Sequence, residues 1–190
     1  MTDNEIIKDI LEGNKDAFRL LVERYQQSVF RTAMGFLHDK DEADDLTQDI
    51  VIQAYLSLAR FKGESAFSTW LYRITLNACL NKTRKSPLQK IFRLFENTPE
   101  ADREIFLSAI DSTDPEDIMI QNENAELVRK ALDSLPENQR IAIVLSKYDD
   151  LPQREIAEIM KTSEGAVESL LQRAKKNLRE IISGRIKKNH

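Results

Sequence analysis

The sequence contains few of the residues that form metal sites and disulfides. Among its 190 residues there are one cysteine, Cys79, and two histidines, His38 and His190. A single cysteine cannot form an intramolecular disulfide or a cysteine-rich zinc site, and two distant histidines do not indicate a histidine metal site. We therefore expect no metal ion and no other cofactor.

Glycine and proline are also scarce, with five of each, whereas 32% of the residues are charged and 41% are hydrophobic. This composition favours helices, because glycine and proline interrupt them and charged side chains cover their outer faces. No apolar run approaches the length of a membrane span, and the N-terminus lacks the features of a signal peptide. The sequence therefore predicts an all-α, soluble, cytoplasmic protein with one or two domains.

Charge is unevenly distributed along the chain, although the net charge is only −4. Residues 73–93 carry six lysines or arginines and no acid, and residues 168–190 carry seven basic residues and two acids. Between them, residues 94–126 carry ten acids and one arginine. Because local basic patches attract nucleic acid, this pattern predicts two nucleic-acid-binding modules joined by an acidic connector.

The segment 151–179 has the pattern of a helix-turn-helix. Pro152 suits the first turn of a short helix, and Ser163 is a good N-cap for a longer second helix, whose positive end favours Glu164. The predicted buried stripe of that second helix consists of Val167, Leu171, Ala174, Leu178 and Ile182. The polar residues off the stripe are then available to a DNA major groove. The alternative is an ordinary amphipathic helix pair with a solvated face.

A helix predicted from residue 41 or 42 to about residue 60 has a strongly polar face. Its apolar stripe consists of Ala43, Leu46, Ile50, Ala54 and Leu58. The opposite face carries Asp44, Asp45, Gln48, Asp49 and Gln53. Such a face is either simply solvated or a docking surface for a basic partner helix.

The next predicted helix, capped by Ser65 or Ser68 and ending near residue 85, combines aromatic residues with a basic, amide-rich face. This combination suits single-stranded DNA, because basic groups hold phosphates and rings or pockets hold unstacked bases. Phe67 and Trp70 at helical spacing are more often core residues, so we expect base contacts in the preceding loop and on the polar face. The predicted apolar stripe is Phe67, Trp70, Leu71, Ile74, Leu76 and Leu80.

Three motifs in these segments carry a family resemblance. They are DDLTQDIV at 44–51, FKGESAFSTWLYRI at 61–74, and LPENQR at 135–140 followed by the helix-turn-helix. In this order they resemble the extracytoplasmic function (ECF) sigma factors, the compact group 4 of the bacterial sigma-70 family of RNA polymerase subunits. The resemblance covers nearly the whole chain except the connector.

The resemblance implies two small helical domains, region 2 at 1–87 and region 4 at 123–184, with an acidic linker at 88–122 and a basic tail at 185–190. Region 2 is expected to bind core RNA polymerase and the melted −10 promoter element. Region 4 is expected to read the duplex −35 element through the helix-turn-helix. The linker is expected to extend towards the polymerase active-site channel, where an acidic segment can mimic nucleic acid.

The resemblance also assigns residues to each surface. The face that docks on a coiled coil of the largest polymerase subunit falls on Asp45, Gln48, Asp49 and Gln53. The residues expected to contact the flipped base and the non-template strand of the −10 element are Lys62, Gly63, Glu64, Ser65, Ala66, Phe67, Arg73, Asn77, Asn81 and Lys82. The residues expected to contact the −35 duplex are Arg154, Ser163, Glu164, Glu168, Ser169, Gln172, Arg173 and Lys176.

Three kinds of partner follow from the resemblance: core RNA polymerase, promoter DNA and an anti-sigma factor, which in many members of the family is anchored in the membrane. It implies no small-molecule substrate and no catalytic site in this chain. One departure concerns Glu168 and Leu170, which stand where many members carry basic residues. A carboxylate there repels phosphate and accepts a hydrogen bond only from cytosine N4, so the −35 sequence cannot be copied from relatives.

Three other functions explain fewer of these features. A ligand-binding helix-turn-helix repressor leaves the acidic face and the aromatic–basic segment unexplained. An enzyme needs converging catalytic groups, and the sequence has no glycine-rich phosphate loop, no paired histidines or cysteines and no serine elbow. A protein that binds only other proteins does not need two basic segments.

Overall fold

A computed structural model describes residues 1–84 and 122–184, so the predicted tail and all but the last residue of the predicted linker lie outside the described residues. Within these ranges the protein forms eight α-helices and no strand, which confirms the all-α prediction. The helices are α1 (Asp3–Leu11), α2 (Phe18–Leu37), α3 (Lys40–Ser57), α4 (Phe67–Arg84), α5 (Asn122–Asp133), α6 (Glu137–Lys147), α7 (Gln153–Met160) and α8 (Glu164–Ile182), with 3-10 turns at Lys15–Ala17 and Leu58–Arg60.

The chain divides into two compact units. Helices α1 to α4 lie in the first unit, α5, α6 and α8 lie in the second, and the division runs through α7. This agrees with the prediction of two helical domains, while the domain bounds at residues 87 and 123 stay predictions.

In the first unit α2 packs against both α3 and α4. The predicted apolar stripe of α3 is confirmed, since all five of its residues are buried. His38 ends α2 in the left-handed conformation with a φ of 57°. Asp39 then caps α3, because its carboxylate accepts a hydrogen bond from the Glu42 N–H at 2.9 Å. The chain thus reverses in two residues between the two helices.

The buried face of α4 differs from the predicted stripe. Three side chains of that stripe are only partly buried, namely Trp70, Ile74 and Leu80. Four others are buried although the pattern did not include them, namely Thr69, Tyr72, Thr75 and Cys79. Because α4 packs against both α2 and α3, it buries a broader face than a single apolar stripe. The Thr75 hydroxyl tolerates burial because it donates to a backbone carbonyl one turn earlier, at 3.0 Å.

In the second unit α8 packs against α5 and α6. Its predicted stripe is largely confirmed, with only Leu171 partly exposed. Two polar contacts fix the helices: Arg140 pairs with Asp133 at 2.5 Å, and the Asn177 amide donates to Gln139 Oε1 at 2.7 Å. Gln139 and Arg140 belong to the LPENQR motif, so this motif holds α6 against its two neighbours.

Candidate functional site

The outward face of α3 is acidic at its start and apolar at its end. The four residues assigned to polymerase docking, Asp45, Gln48, Asp49 and Gln53, are all exposed. Ile52 and Leu56 continue the same strip at helical spacing, and they are 57% and 74% exposed. We call these six residues the α3 strip. Large aliphatic side chains exposed next to each other are typical of a surface that contacts another protein.

Ile52 and Leu56 were not among the predicted docking residues, although their helical positions could have identified them as exposed. A helical residue is rotated by about 100° from the one before it, so Ile52 lies about 200° around the helix from the buried Ile50. An aliphatic residue on that side cannot join the core of its own unit. Its position opposite the apolar stripe therefore predicts that it faces outward.

The loop before α4 rests on a cluster of aromatic rings. The Phe61 ring centroid lies 5.8 Å from that of Phe67 and 5.4 Å from that of Trp70, and the Phe67 and Trp70 centroids are 5.5 Å apart. Tyr25 of α2 adds a fourth ring, 5.5 Å from Phe67. Phe67 is only 2% exposed, so its ring supports the loop from below. Residues 62–64 are exposed above this cluster.

The backbone of the loop depends on one glycine. Gly63 has a φ of 71°, in the left-handed region that side chains disfavour, whereas no atom lies within 4 Å of the position a Cβ would take. The conformation, and not crowding, therefore requires glycine. Helix α4 starts after Ala66, whose carbonyl accepts a hydrogen bond at 3.2 Å. Ala66 thus takes the N-cap position that was predicted for Ser65 or Ser68.

Helix α1 is tied to the aromatic cluster through Tyr25. The Asp3 carboxylate accepts a hydrogen bond from the Tyr25 hydroxyl and forms an ion pair with Arg24. Burial and the hydrogen bond to Asp3 raise the pKa of Tyr25, so its hydroxyl remains a donor at neutral pH. Because the Tyr25 ring packs on Phe67, a contact from α1 reaches the base of the loop.

The polar face of α4 leads away from the loop. Arg73, Asn77 and Asn81 follow each other at a spacing of four residues, which places them in one row along the helix. The two asparagines are exposed, while Arg73 and the neighbouring Lys82 are partly buried. Helix α4 contains no acid. The two asparagines and Lys82 therefore present amide and cationic donors, which suit a phosphate backbone and unstacked base edges. The Arg73 guanidinium already donates from Nε and Nη2 to backbone carbonyls, at 3.2 and 2.7 Å.

The turn between α7 and α8 is closed by the backbone. Lys161 has a φ of 55°, and the Thr162 N–H donates to the Ala157 carbonyl at 2.9 Å, which ends α7 in a Schellman-type turn. Ser163 follows at once, and its Oγ accepts a hydrogen bond from the Ala166 N–H at 3.2 Å. The predicted N-cap of the second helix is thereby confirmed.

Helix α8 carries most of the residues assigned to the −35 duplex. Its assigned residues are all exposed: Glu164, Glu168, Ser169, Gln172, Arg173 and Lys176, preceded by the exposed N-cap Ser163. Arg154 is exposed on α7, which begins at Gln153, so Pro152 precedes this helix and does not lie in its first turn as predicted. Along α8 the charge changes from acidic in the first half to basic in the second.

None of the helices within residues 1–84 and 122–184 is both long enough and apolar enough to span a bilayer. In the same ranges, no three His, Cys, Asp or Glu side chains gather in a way that suits a metal ion, and this includes the acidic start of α3.

Comparisons with known proteins place this geometry in a family. The family model for Sigma-70 region 2 matches residues 21–87, and the model for Sigma-70, region 4 matches residues 125–178. The chain is 33% identical over 190 residues to the ECF RNA polymerase sigma-E factor of Escherichia coli strain K12, across 98% of this chain and 95% of that protein. It belongs to the ECF sigma factors. The RNA polymerase sigma-H factor of Pseudomonas aeruginosa is 34% identical over 177 residues, across 91% of this sigma factor and 90% of the relative.

Solved structures share the fold of this sigma factor. CnrH, in complex with the cytosolic domain of CnrY, aligns with a TM-score of 0.67 at 24% identity, across 96% of this chain and 97% of the other. The sigma factor RpoE of Bartonella quintana, in complex with the anti-sigma factor NepR, aligns with a TM-score of 0.57 at 22% identity, across 90% and 98%.

The family match makes this protein a promoter-recognising sigma factor of RNA polymerase. The motifs at 44–51 and 61–74 fall inside the region 2 match. The motif at 135–140 falls inside the region 4 match, as does the helix-turn-helix except for its last residue. The resemblance inferred from those motifs is therefore confirmed.

Proposed function

We propose that this ECF sigma factor docks on core RNA polymerase through the α3 strip, holds the melted −10 element with the loop before α4 and the polar row of α4, and reads the −35 duplex with α8. The observation that carries the docking surface is the exposure of Ile52 and Leu56 at 57% and 74% beside four polar residues. An aliphatic patch bordered by carboxylates and amides suits the apolar and basic side chains of a partner helix.

The docking partner is a coiled coil of the largest polymerase subunit, as in other sigma factors of this family. Asp45 and Asp49 supply negative charge at the start of the strip, and this charge attracts basic side chains and sets the register. The two aliphatic residues then lose their exposed surface to the partner, which supplies the larger share of the binding free energy.

The −10 element needs a preformed pocket, because extruding a base from a duplex costs a few kcal/mol. The aromatic cluster under the loop supplies rigidity, with Phe67 buried and Phe61 packed against it. Residues 62–66 above it contact the flipped base. Arg73, Asn77, Asn81 and Lys82 then hold the non-template strand as it leaves the pocket.

The −35 duplex is held mainly by the second half of α8. Arg173 and Lys176 are exposed there and contact phosphates or guanine, while Arg154 contacts the backbone from α7. The first residues of a recognition helix reach the base edges, so Ser163, Glu164 and Glu168 face the floor of the major groove.

An anti-sigma factor is the proposed regulatory partner. CnrH and the Bartonella RpoE were each solved with a protein bound to them, CnrY and NepR respectively, and NepR is an anti-sigma factor. An anti-sigma factor that covers the α3 strip would block docking, because the strip is exposed and partly apolar. In many ECF sigma factors this partner is anchored in the membrane, and we propose the same arrangement here.

The first experiment combines the purified chain with sigma-free bacterial core RNA polymerase on fragmented genomic DNA and sequences the 5′ ends of the transcripts. We expect discrete start sites that share one motif near −10 and another near −35. Background initiation alone, with a chain that does not co-purify with core, would contradict the proposal and favour a ligand-binding repressor.

The docking surface is tested by the double variant Asp49→Lys with Gln53→Lys, which should abolish binding to core. The matched control is Glu23→Lys with Gln27→Lys, which makes the same change of charge at the same spacing on exposed positions of α2. Circular dichroism should report the same helical content for both variants. Equal core affinity of the two variants would refute the assignment of the α3 strip.

A further inference from the structure

The first half of the recognition helix α8 presents hydrogen-bond acceptors. The segment 164–172 contains two glutamates and no lysine or arginine. The Ser169 hydroxyl donates to the Gly165 carbonyl at 3.0 Å, so its hydrogen is engaged within the helix and its lone pairs face solvent. A carboxylate such as that of Glu168 only accepts.

Gln172 holds that carboxylate in place. Its Nε2 donates to Glu168 Oε1 at 3.4 Å from one turn further along the helix, and both side chains are exposed. This contact occupies one oxygen of Glu168 and leaves Oε2 available to a partner. The result is a charged acceptor, contacted by its neighbour, on a flank of α8 about 100° around the helix from the buried Val167.

Only two base groups donate hydrogen bonds in the major groove, the N6 amino group of adenine and the N4 amino group of cytosine. The adenine amino group lies between two acceptors, adenine N7 and thymine O4, and both repel a carboxylate. The cytosine amino group borders the C5–H of its own ring and has an acceptor on one side only. A carboxylate therefore selects cytosine.

We propose that Glu168 determines −35 specificity by accepting a hydrogen bond from the N4 amino group of one cytosine, with Gln172 as the residue that positions its carboxylate. This inference rests on the proposed reading of the −35 element by α8. The basic second half of the helix supplies the affinity for phosphates, with Arg173 and Lys176 exposed. Glu168 adds discrimination, because any other base leaves its charge facing acceptors or a methyl group.

The test is selection of promoter DNA, randomised across the −35 element, by holoenzyme assembled from core polymerase and each variant. Wild type should show one −35 position that prefers cytosine by about tenfold. Glu168→Arg should convert the same position to guanine, because arginine donates to guanine O6 and N7. The control, Glu180→Arg, makes the same change of charge about three turns further along α8 and should leave that preference unchanged.

A persistent cytosine preference in Glu168→Arg would overturn the inference, while selection of the promoter would still support the proposed function. Failure of wild-type holoenzyme to select any −35 motif would instead contradict the proposed function itself. The two failures are therefore distinguishable in one experiment.

A second measurement covers the case in which Glu168→Arg does not assemble. Replacing the selected cytosine by 2-pyrimidinone removes only its N4 amino group, and wild-type holoenzyme should bind this promoter about tenfold more weakly. Unchanged binding would refute the contact. Gln172→Ala should reduce the cytosine preference without changing the slope of log affinity against log salt, because that slope counts phosphate contacts. An unchanged preference would refute the positioning role.

Discussion

Truncating Leu56 tests polymerase docking separately from folding, because its side chain contributes little to the stability of the fold. The residue is 74% exposed, so truncation to alanine should change the free energy of unfolding by no more than about 0.5 kcal/mol. Leu56→Ala removes three carbon groups, each worth about 0.8 kcal/mol when buried. About three-quarters of that total, roughly 2 kcal/mol, is still available to a partner that covers the side chain. We therefore expect core polymerase to bind the variant about 20-fold more weakly.

Two measurements decide this prediction. Urea denaturation gives the free energy of unfolding, and competition against labelled wild-type chain gives the affinity for core polymerase. The matched control is Leu11→Ala, an equal truncation at a leucine that is 55% exposed on α1, outside the α3 strip. Equal core affinities of the two variants, or a large loss of folding stability in Leu56→Ala, would show that the exposed side chain is not a docking residue.

Two further predictions concern residues that stabilise the proposed DNA-binding surfaces. The raised pKa of Tyr25 stabilises the fold below pH 10, and this stability is lost as pH rises further, because the unfolded tyrosine then ionises first. Tyr25→Phe should therefore flatten the alkaline loss of stability in urea titrations. Ser163→Ala removes the side-chain acceptor at the start of α8, so it should cost about 1 kcal/mol of folding stability and weaken −35 duplex binding.

Each of these has its own control. Burial also raises the pKa of Tyr148, so part of the alkaline loss should persist in Tyr25→Phe and should decrease further when Tyr148→Phe is added. An alkaline profile identical to wild type in Tyr25→Phe would contradict the contact with Asp3. For Ser163, the variant Ser163→Asp keeps a capping oxygen and should retain the stability that alanine loses. Equal stability of the two would show that the cap is not needed.

Local patterns in the sequence were sufficient to predict the helices and to identify the family. The apolar stripe of α3 and the cap at Ser163 depend on spacing and on residue type within one turn, and both are confirmed. The three motifs were sufficient to identify the family because they occur together in the order that is typical of it. The same local reasoning placed Pro152 inside α7 and the cap of α4 on a serine, and both positions were wrong by a residue or two.

The tertiary structure decided which faces each helix buries. Helix α4 lies against two neighbours, so its buried face is broader than its apolar stripe and leaves Trp70 partly exposed. The aromatic cluster under the loop joins Phe61, Phe67 and Trp70 to Tyr25 of α2, a contact between residues far apart in sequence. Periodicity records only which side of a helix is apolar, whereas burial depends on how many helices pack against it. The sequence alone therefore determined the elements and the family, and packing decided the exposed surfaces on which the proposed contacts depend.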